Sequence, residues 1–151
     1  TFDPNLRPVL WEDEETMCTV LNQLAAKADV VLPGIGECKI LAGTEDKKEA
    51  ADFYQKLGVK TVIIKDGSKG AYVQTADEND DVAGYKVEKV VDTVGAGDGF
   101  AVGVLSGILE GLDLKDSVKR GNAIGAIQVM NIGDNEGLPT PKELKAFQEN
   151  N

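Results

Sequence analysis

The alternation of short apolar runs with longer stretches of helical periodicity constrains this chain more than any other feature. "DVVLP" (29–33) and "KTVIIK" (60–65) are apolar runs of strand length bounded by turn residues, which predicts short buried strands. Over 13–28 the apolar residues Met17, Val20, Leu21, Leu24, Ala25 and Ala28 recur at helical spacing behind an acidic first turn. A second helix is expected from a Thr44 cap through Leu57, closed by Gly58. The turn "DGSKG" (66–70) leads into a strand "AYVQT", and the polar "ADENDD" leads into a further strand, "VAGYKVEKVV" (82–91). Three more helices are expected: from inside a glycine-rich stretch to Glu110, from about Leu114 to Met130, and after Thr140. The last has Pro141 at its first position and Glu143 completing a capping box. This order argues for an α/β fold, a mostly parallel sheet covered by helices. Without long linkers, repeats or low-complexity tracts, residues 1–151 read as one domain, or most of one.

Composition removes several function classes. The net charge of −10, from 26 acidic and 16 basic residues, opposes nucleic acid as a partner. No apolar run approaches the roughly 18 residues that a membrane span needs, and no targeting segment is visible. The chain opens with Thr1 and runs at once into "TFDPNLRPVLW", so the expectation is a piece of a longer polypeptide. Cys18 and Cys38 have neither a disulfide framework nor metal-type spacing, which predicts reduced, structural thiols and a cytoplasmic setting. Histidine is absent, which excludes Ser-His-Asp and Cys-His nucleophile arrangements and every His-based zinc site. Acid–base chemistry therefore rests on Asp, Glu, Lys, Tyr or Cys.

"VVDTVGAGDGF" (90–100) joins an apolar strand-like run to an apolar helix-like run. Gly95, Ala96 and Gly97 let several backbone N–H groups approach a ligand where a helix begins, and the free amides and dipole there favour an anion such as phosphate. Asp98 adds a carboxylate to the same turn, suited to accepting a proton from a hydroxyl that attacks that phosphate. The bland alternative is a helix start with glycines for packing and Asp98 as a first-turn charge. The dinucleotide fingerprint fits poorly, because its third glycine falls on Phe100, and no Walker-A pattern occurs. Spacing alone supports an anion site beside a carboxylate.

"DTVGAGDGF" resembles the C-terminal signature of the ribokinase-like (phosphofructokinase-B type) carbohydrate kinases. "VIIKDGSKGAYV", "RGNAIGAIQVMNIGDNEGLP" and "LPGIGECKIL" resemble that family's strand–turn–strand beside the nucleotide, its helix and loop near the adenine, and its Asn-x-x-Glu segment. The resemblance covers essentially the whole chain but only the C-terminal, nucleotide-binding half of such an enzyme. It implies a ribokinase-like sheet with helices on both faces, incomplete because the N-terminal half and the lid over the sugar are missing. By the same resemblance Asp98 would be the catalytic base touching the sugar hydroxyl, and the amides of Gly95, Ala96 and Gly97 the anion hole. Gly67, Ser68, Lys69, Gly70 and Asn122 would line the ATP site, and Glu37 would help place Mg²⁺ through water. Gly34 stands where the family has asparagine, which puts that residue's share of metal and phosphate placement in doubt. Asp92 would neighbour a monovalent cation.

"FDPNLRPVLW" (2–11) follows a strand into a loop that faces the sugar in such kinases, and Arg7 offers a planar fork suited to a carboxylate. Together with "LPGIGE" it resembles the kinases of 2-keto-3-deoxygluconate, an acidic sugar, with Asp134 reaching the substrate hydroxyls by the same resemblance. Kinases of 5-keto-2-deoxygluconate, fructose or ribose are the alternatives, as is a nucleotide-binding module without catalysis. A homo-oligomer is expected of the complete enzyme and little activity of this chain alone. Asp77, Asn79, Asp81 and Glu88 fall at calcium-loop spacings, but Val82 stands where the sharp turn needs glycine, so an acidic hairpin turn is expected there.

Overall fold

The computed structural model describes residues 1–151. In chain order the elements are α1 (Glu14–Ala25), β1 (Val30–Val31), α2 (Ile35–Leu41), α3 (Lys47–Lys56), β2 (Thr61–Lys65), β3 (Gly70–Gln74), β4 (Asn79–Ala83), α4 (Ala96–Leu109), α5 (Leu114–Gln128) and α6 (Pro141–Asn150). Short 3₁₀ turns lie at Pro8–Leu10 and Gly67–Lys69. No helix is long and apolar enough to cross a membrane.

The strands line up in the order β1-β2-β3-β4. β1 and β2 are parallel, with Val30 opposite Thr61 and Val31 opposite Val62. Parallel bridges from Phe2 to Val31 and from Gly34 to Lys65 extend this part of the sheet. β2–β3 and β3–β4 are joined only by the turns 66–69 and 75–78. A parallel pair needs a crossover of about a dozen residues, so these pairs are antiparallel and the sheet within this chain is mixed.

The chain divides into two compact units: Thr1–Asp66 with Tyr72–Asp81, and Gly67–Ala71 with Val82–Asn151. In the first, Val31, Val62 and Ile64 pack with Ala25, Cys38, Ala50, Ala51 and Tyr54. Val62, Ile63 and Ile64 are all fully buried, which is why β2 reads as an unbroken apolar run. Each such side chain contributes about 1.5–3 kcal/mol of burial. Burial pushes the Cys38 thiol up to about 12, so it is an inert packing residue. In the second unit α4 and α5 pack through small residues, Gly103 against Gly121 and Gly107 against Ser117. The Tyr85 and Phe147 rings, 5.3 Å apart, tie α6 to the segment after β4.

Several boundaries differ from expectation for identifiable reasons. α3 begins at Lys47 because Asp46 is the cap, accepting from the Glu49 N–H, while the Thr44 hydroxyl donates to the Glu49 carboxylate. α1 ends at Ala25, before the expected Ala28, and α5 at Gln128, before Met130. Tight bonds from the Ala28 N–H to the Ala25 carbonyl and from the Met130 N–H to the Ile127 carbonyl close them. β4 covers Asn79–Ala83 instead of 82–91. It stops where Gly84 runs against the Ser68 carbonyl, an approach so close that a β-carbon would lie 2.6 Å from that oxygen. The acidic stretch with calcium-loop spacing thus holds the end of the β3–β4 turn and β4 itself, and Asp81 pairs with Lys47 at 2.9 Å. The Thr140 capping box is present as expected.

Candidate functional site: a glycine turn at the start of α4

Gly95 caps α4 in the left-handed region, at φ +74°, and no side chain caps this end of the helix. The Ala96 N–H reaches the Thr93 carbonyl at 3.3 Å. The next two donors, on Gly97 and Asp98, precede the first intrahelical acceptors and lie on the exposed rim of the turn. Gly97 and Asp98 therefore offer open donors; of the expected Gly95, Ala96 and Gly97 amides, Ala96 has the Thr93 carbonyl as a partner. The Asp98 carboxylate is exposed and holds no hydrogen bond or ion pair within the chain. A helix start with two open amides, its positive dipole end and an uncommitted carboxylate can bind an anion and accept a proton beside it.

Gly95 also packs against the 131–137 loop, so tightly that a β-carbon would lie 2.2 Å from the Asp134 carbonyl oxygen. The fold thus brings Asp134 beside the glycine turn through its backbone, with the side chain exposed. Gly95→Ala meets two penalties, about 1–2 kcal/mol for a left-handed alanine and the contact itself. The expected total is about 2–4 kcal/mol, and thermal unfolding of the variant checks it. The Asp92 carboxylate holds the same turn from behind, accepting from the N–H of Val94 at 3.1 Å and of Gly133 at 3.2 Å. These bonds hold its carboxyl below the usual carboxylate range.

The Gly67–Lys69 turn and Asn122 meet through the backbone at 82–84. Gly70, at φ +102°, lies so close that a β-carbon would sit 2.1 Å from the Val82 carbonyl oxygen. The buried Asn122 amide donates to the carbonyls of Val82 and Ala83 at 3.1 and 3.0 Å. Its visible work is to fix the segment that backs the turn.

In the first unit, Glu37 ties two segments together. One carboxylate oxygen accepts from the N–H of Gly34, at the start of α2, at 2.7 Å, and the other accepts from the Leu6 N–H at 2.9 Å. Glu37 thereby anchors the loop that presents Arg7, whose exposed guanidinium touches only the adjacent Leu6 carbonyl at 2.9 Å. Asp3 and Lys65 form a second tie at the same strand ends, an ion pair with side chains mostly buried. Burial raises the Asp3 carboxyl in spite of Lys65. No three His, Cys, Asp or Glu side chains converge into a ready metal cage. A divalent ion reaching Glu37 through water fits this, since Mg²⁺ keeps several waters and takes one or two carboxylates plus phosphate oxygens.

The Asp98 N–H, the Asp3–Lys65 pair and Gln128 escaped the reading of the sequence. Gln128 alone carried a signal, a polar residue inside the apolar "AIGAIQVM".

The profile of the pfkB family carbohydrate kinases matches residues 1–141. The chain is 53% identical over 147 residues to a 2-dehydro-3-deoxygluconokinase of Bacillus subtilis, covering 97% of this chain and 45% of that protein. A PfkB protein from Polaromonas sp. JS666 superposes with a TM-score of 0.83 at 46% identity, over 97% of this chain and 45% of the other. A Vibrio cholerae fructokinase double mutant, crystallised with fructose, ADP and a potassium ion, superposes with a TM-score of 0.90 at 32% identity, over 97% and 49%. The chain spans about half the length of these relatives. Its architecture is ribokinase-like. With residues 1–141 matched, the chain belongs to the pfkB family of carbohydrate kinases.

Proposed function

We propose that residues 1–151 are the nucleotide-binding part of a cytoplasmic kinase that transfers the γ-phosphoryl group of ATP to the terminal hydroxyl of 2-keto-3-deoxygluconate. The observation that carries the reading is the uncapped start of α4, where two open amides adjoin an uncommitted carboxylate. The 53% identity to a 2-dehydro-3-deoxygluconokinase supports the acceptor.

The chemistry assigned to the chain is positioning and electrostatic stabilisation. Asp98 takes the proton of the attacking hydroxyl. The N–H groups of Gly97 and Asp98, with the α4 dipole behind them, receive the charge on the transferring group. Mg²⁺, when bound, spreads the charge shared by the β- and γ-phosphates; Glu37 would hold one of its waters. Gly67–Gly70 lines the nucleotide, with Asn122 supporting it from behind. Arg7 pairs with the acceptor's carboxylate and Asp134 meets its hydroxyls. A monovalent cation, when bound, would neighbour Asp92.

Calorimetric titration of the chain with Mg·ATP tests the reading. Saturable binding that is lost in Gly97→Val is expected; absence of binding overturns the reading for this chain. Phosphorylation assays on the protein that carries the chain, offered 2-keto-3-deoxygluconate, 5-keto-2-deoxygluconate, fructose and ribose, test the acceptor. A preference for a neutral sugar removes Arg7 from its assigned role.

A further inference from the structure

Gln128 lies near the end of α5, fully buried among apolar neighbours. Its Nε2 donates to the Gly133 carbonyl at 2.7 Å and, more weakly, to the Val94 carbonyl at 3.5 Å. Its Oε1 is buried without a partner, and Gly137 closes over it so nearly that a β-carbon there would be 2.7 Å away. Asp92 approaches the same two residues from the other side and accepts their N–H groups. Val94 and Gly133 are therefore each gripped twice, by the N–H on Asp92 and by the carbonyl on Gln128. Val94 immediately precedes Gly95, and Gly133 immediately precedes Asp134, the two residues in contact at the start of α4.

A purely stabilising core residue has no reason to leave a buried acceptor orphaned, because an apolar side chain of similar size would fill the place without that cost. What the amide supplies and an apolar group cannot is a positive pole shared by two converging carbonyls. We propose that Gln128 is a positioning residue: its amide and the Asp92 carboxylate form a two-sided clamp that sets the glycine turn in its anion-binding shape. The consequence for phosphate rests on the function proposed above; the clamp itself does not. The two carbonyls and the Asp92 carboxylate each meet an N–H donor here and keep acceptor capacity beyond it.

Amide hydrogen exchange on the full chain, read by NMR at Val94, Ala96, Gly99 and Gly133, tests this in Gln128→Leu and Gln128→Glu. At pH 8 both variants are expected to exchange there on the order of tenfold faster than wild type, with Val62–Ile64 unchanged. A protonated carboxyl can donate to one carbonyl where a carboxylate cannot. Burial at this position and the Asp92 carboxylate, bonded to the N–H groups of Val94 and Gly133, favour the neutral form of the introduced group. At pH 5, Gln128→Glu is therefore expected to return to within about threefold of wild type at that pH, while Gln128→Leu does not. Wild-type exchange in both variants, acid recovery of Gln128→Leu, or acceleration spread equally to Val62–Ile64 would each overturn the clamp. If the exchange pattern holds and wild type does not bind Mg·ATP, the anion-site reading fails and the clamp stands.

Discussion

In the enzyme that carries this chain, Asp98→Asn is expected to lower turnover about 1,000-fold, within the span that a positioned general base contributes. The same change is expected to leave Mg·ATP affinity within about twofold of wild type, or slightly tighter. The reason lies in the division of labour within one helical turn. In the proposed mechanism the anion is received by backbone N–H groups of Gly97 and Asp98, which the substitution retains, and by the helix dipole. The side chain contributes no hydrogen bond or ion pair within the chain, so its amide analogue breaks nothing in the fold. What is lost is the proton acceptor, together with a negative charge that sits awkwardly beside a phosphate. Parallel measurement of kcat and of the KM for ATP separates these effects. Turnover within tenfold of wild type would remove Asp98 from the mechanism.

The residues whose constraint is local were the ones the sequence could show. β2 is legible because Val62, Ile63 and Ile64 are buried together. The start of α6 is legible because Thr140, Pro141 and Glu143 each act on their own turn. The glycine turn likewise announced both its glycines and its carboxylate. The misses involve partners distant in the chain. The strand expected over 82–91 has acceptable composition throughout, but its end is decided by the approach of Ser68 and Gly70 to Gly84. α2 is only seven residues long and starts at a glycine with no capping side chain, so it gave no periodic signal. Glu37 could be named as a candidate metal-placing residue, yet its grip on the Leu6 N–H depends on a contact 31 residues back. The same holds for Asp92 and Gly133, which lie 41 residues apart. Gly95 packs against the Asp134 backbone, while Gly103 and Gly107 of the same helix serve the seam with α5.

That seam carries the largest expected effect on stability. A β-carbon at Gly103 would lie 2.6 Å from the Gly121 α-carbon, 2.7 Å from its nitrogen and 2.8 Å from the Arg120 carbonyl oxygen. All three are backbone atoms and cannot rotate aside, so Gly103→Val must push α4 and α5 apart along their length. Separation also unpacks Val104 and Val118, both fully buried, so cavity loss adds to overpacking. A cost of about 4 kcal/mol or more is expected, against overpacking penalties of about 1–3 kcal/mol where side chains alone must move. Helix propensity acts in the opposite direction, since replacing a helical glycine by alanine gains about 1 kcal/mol. Gly36→Ala isolates that gain, because Gly36 lies in α2 with no atom within 4 Å of its would-be β-carbon. It is therefore expected to raise the melting temperature by about 2–4 °C, while Gly103→Ala lowers it despite the same gain in propensity. Equal or higher stability in Gly103→Ala would mean that the two helices are not in backbone contact. Because α4 begins at the glycine turn, its displacement also moves the Gly97 and Asp98 amides. Mg·ATP affinity is thus expected to fall in Gly103→Val and to persist in Gly36→Ala, linking a glycine two turns inside the helix to the chemistry at its start.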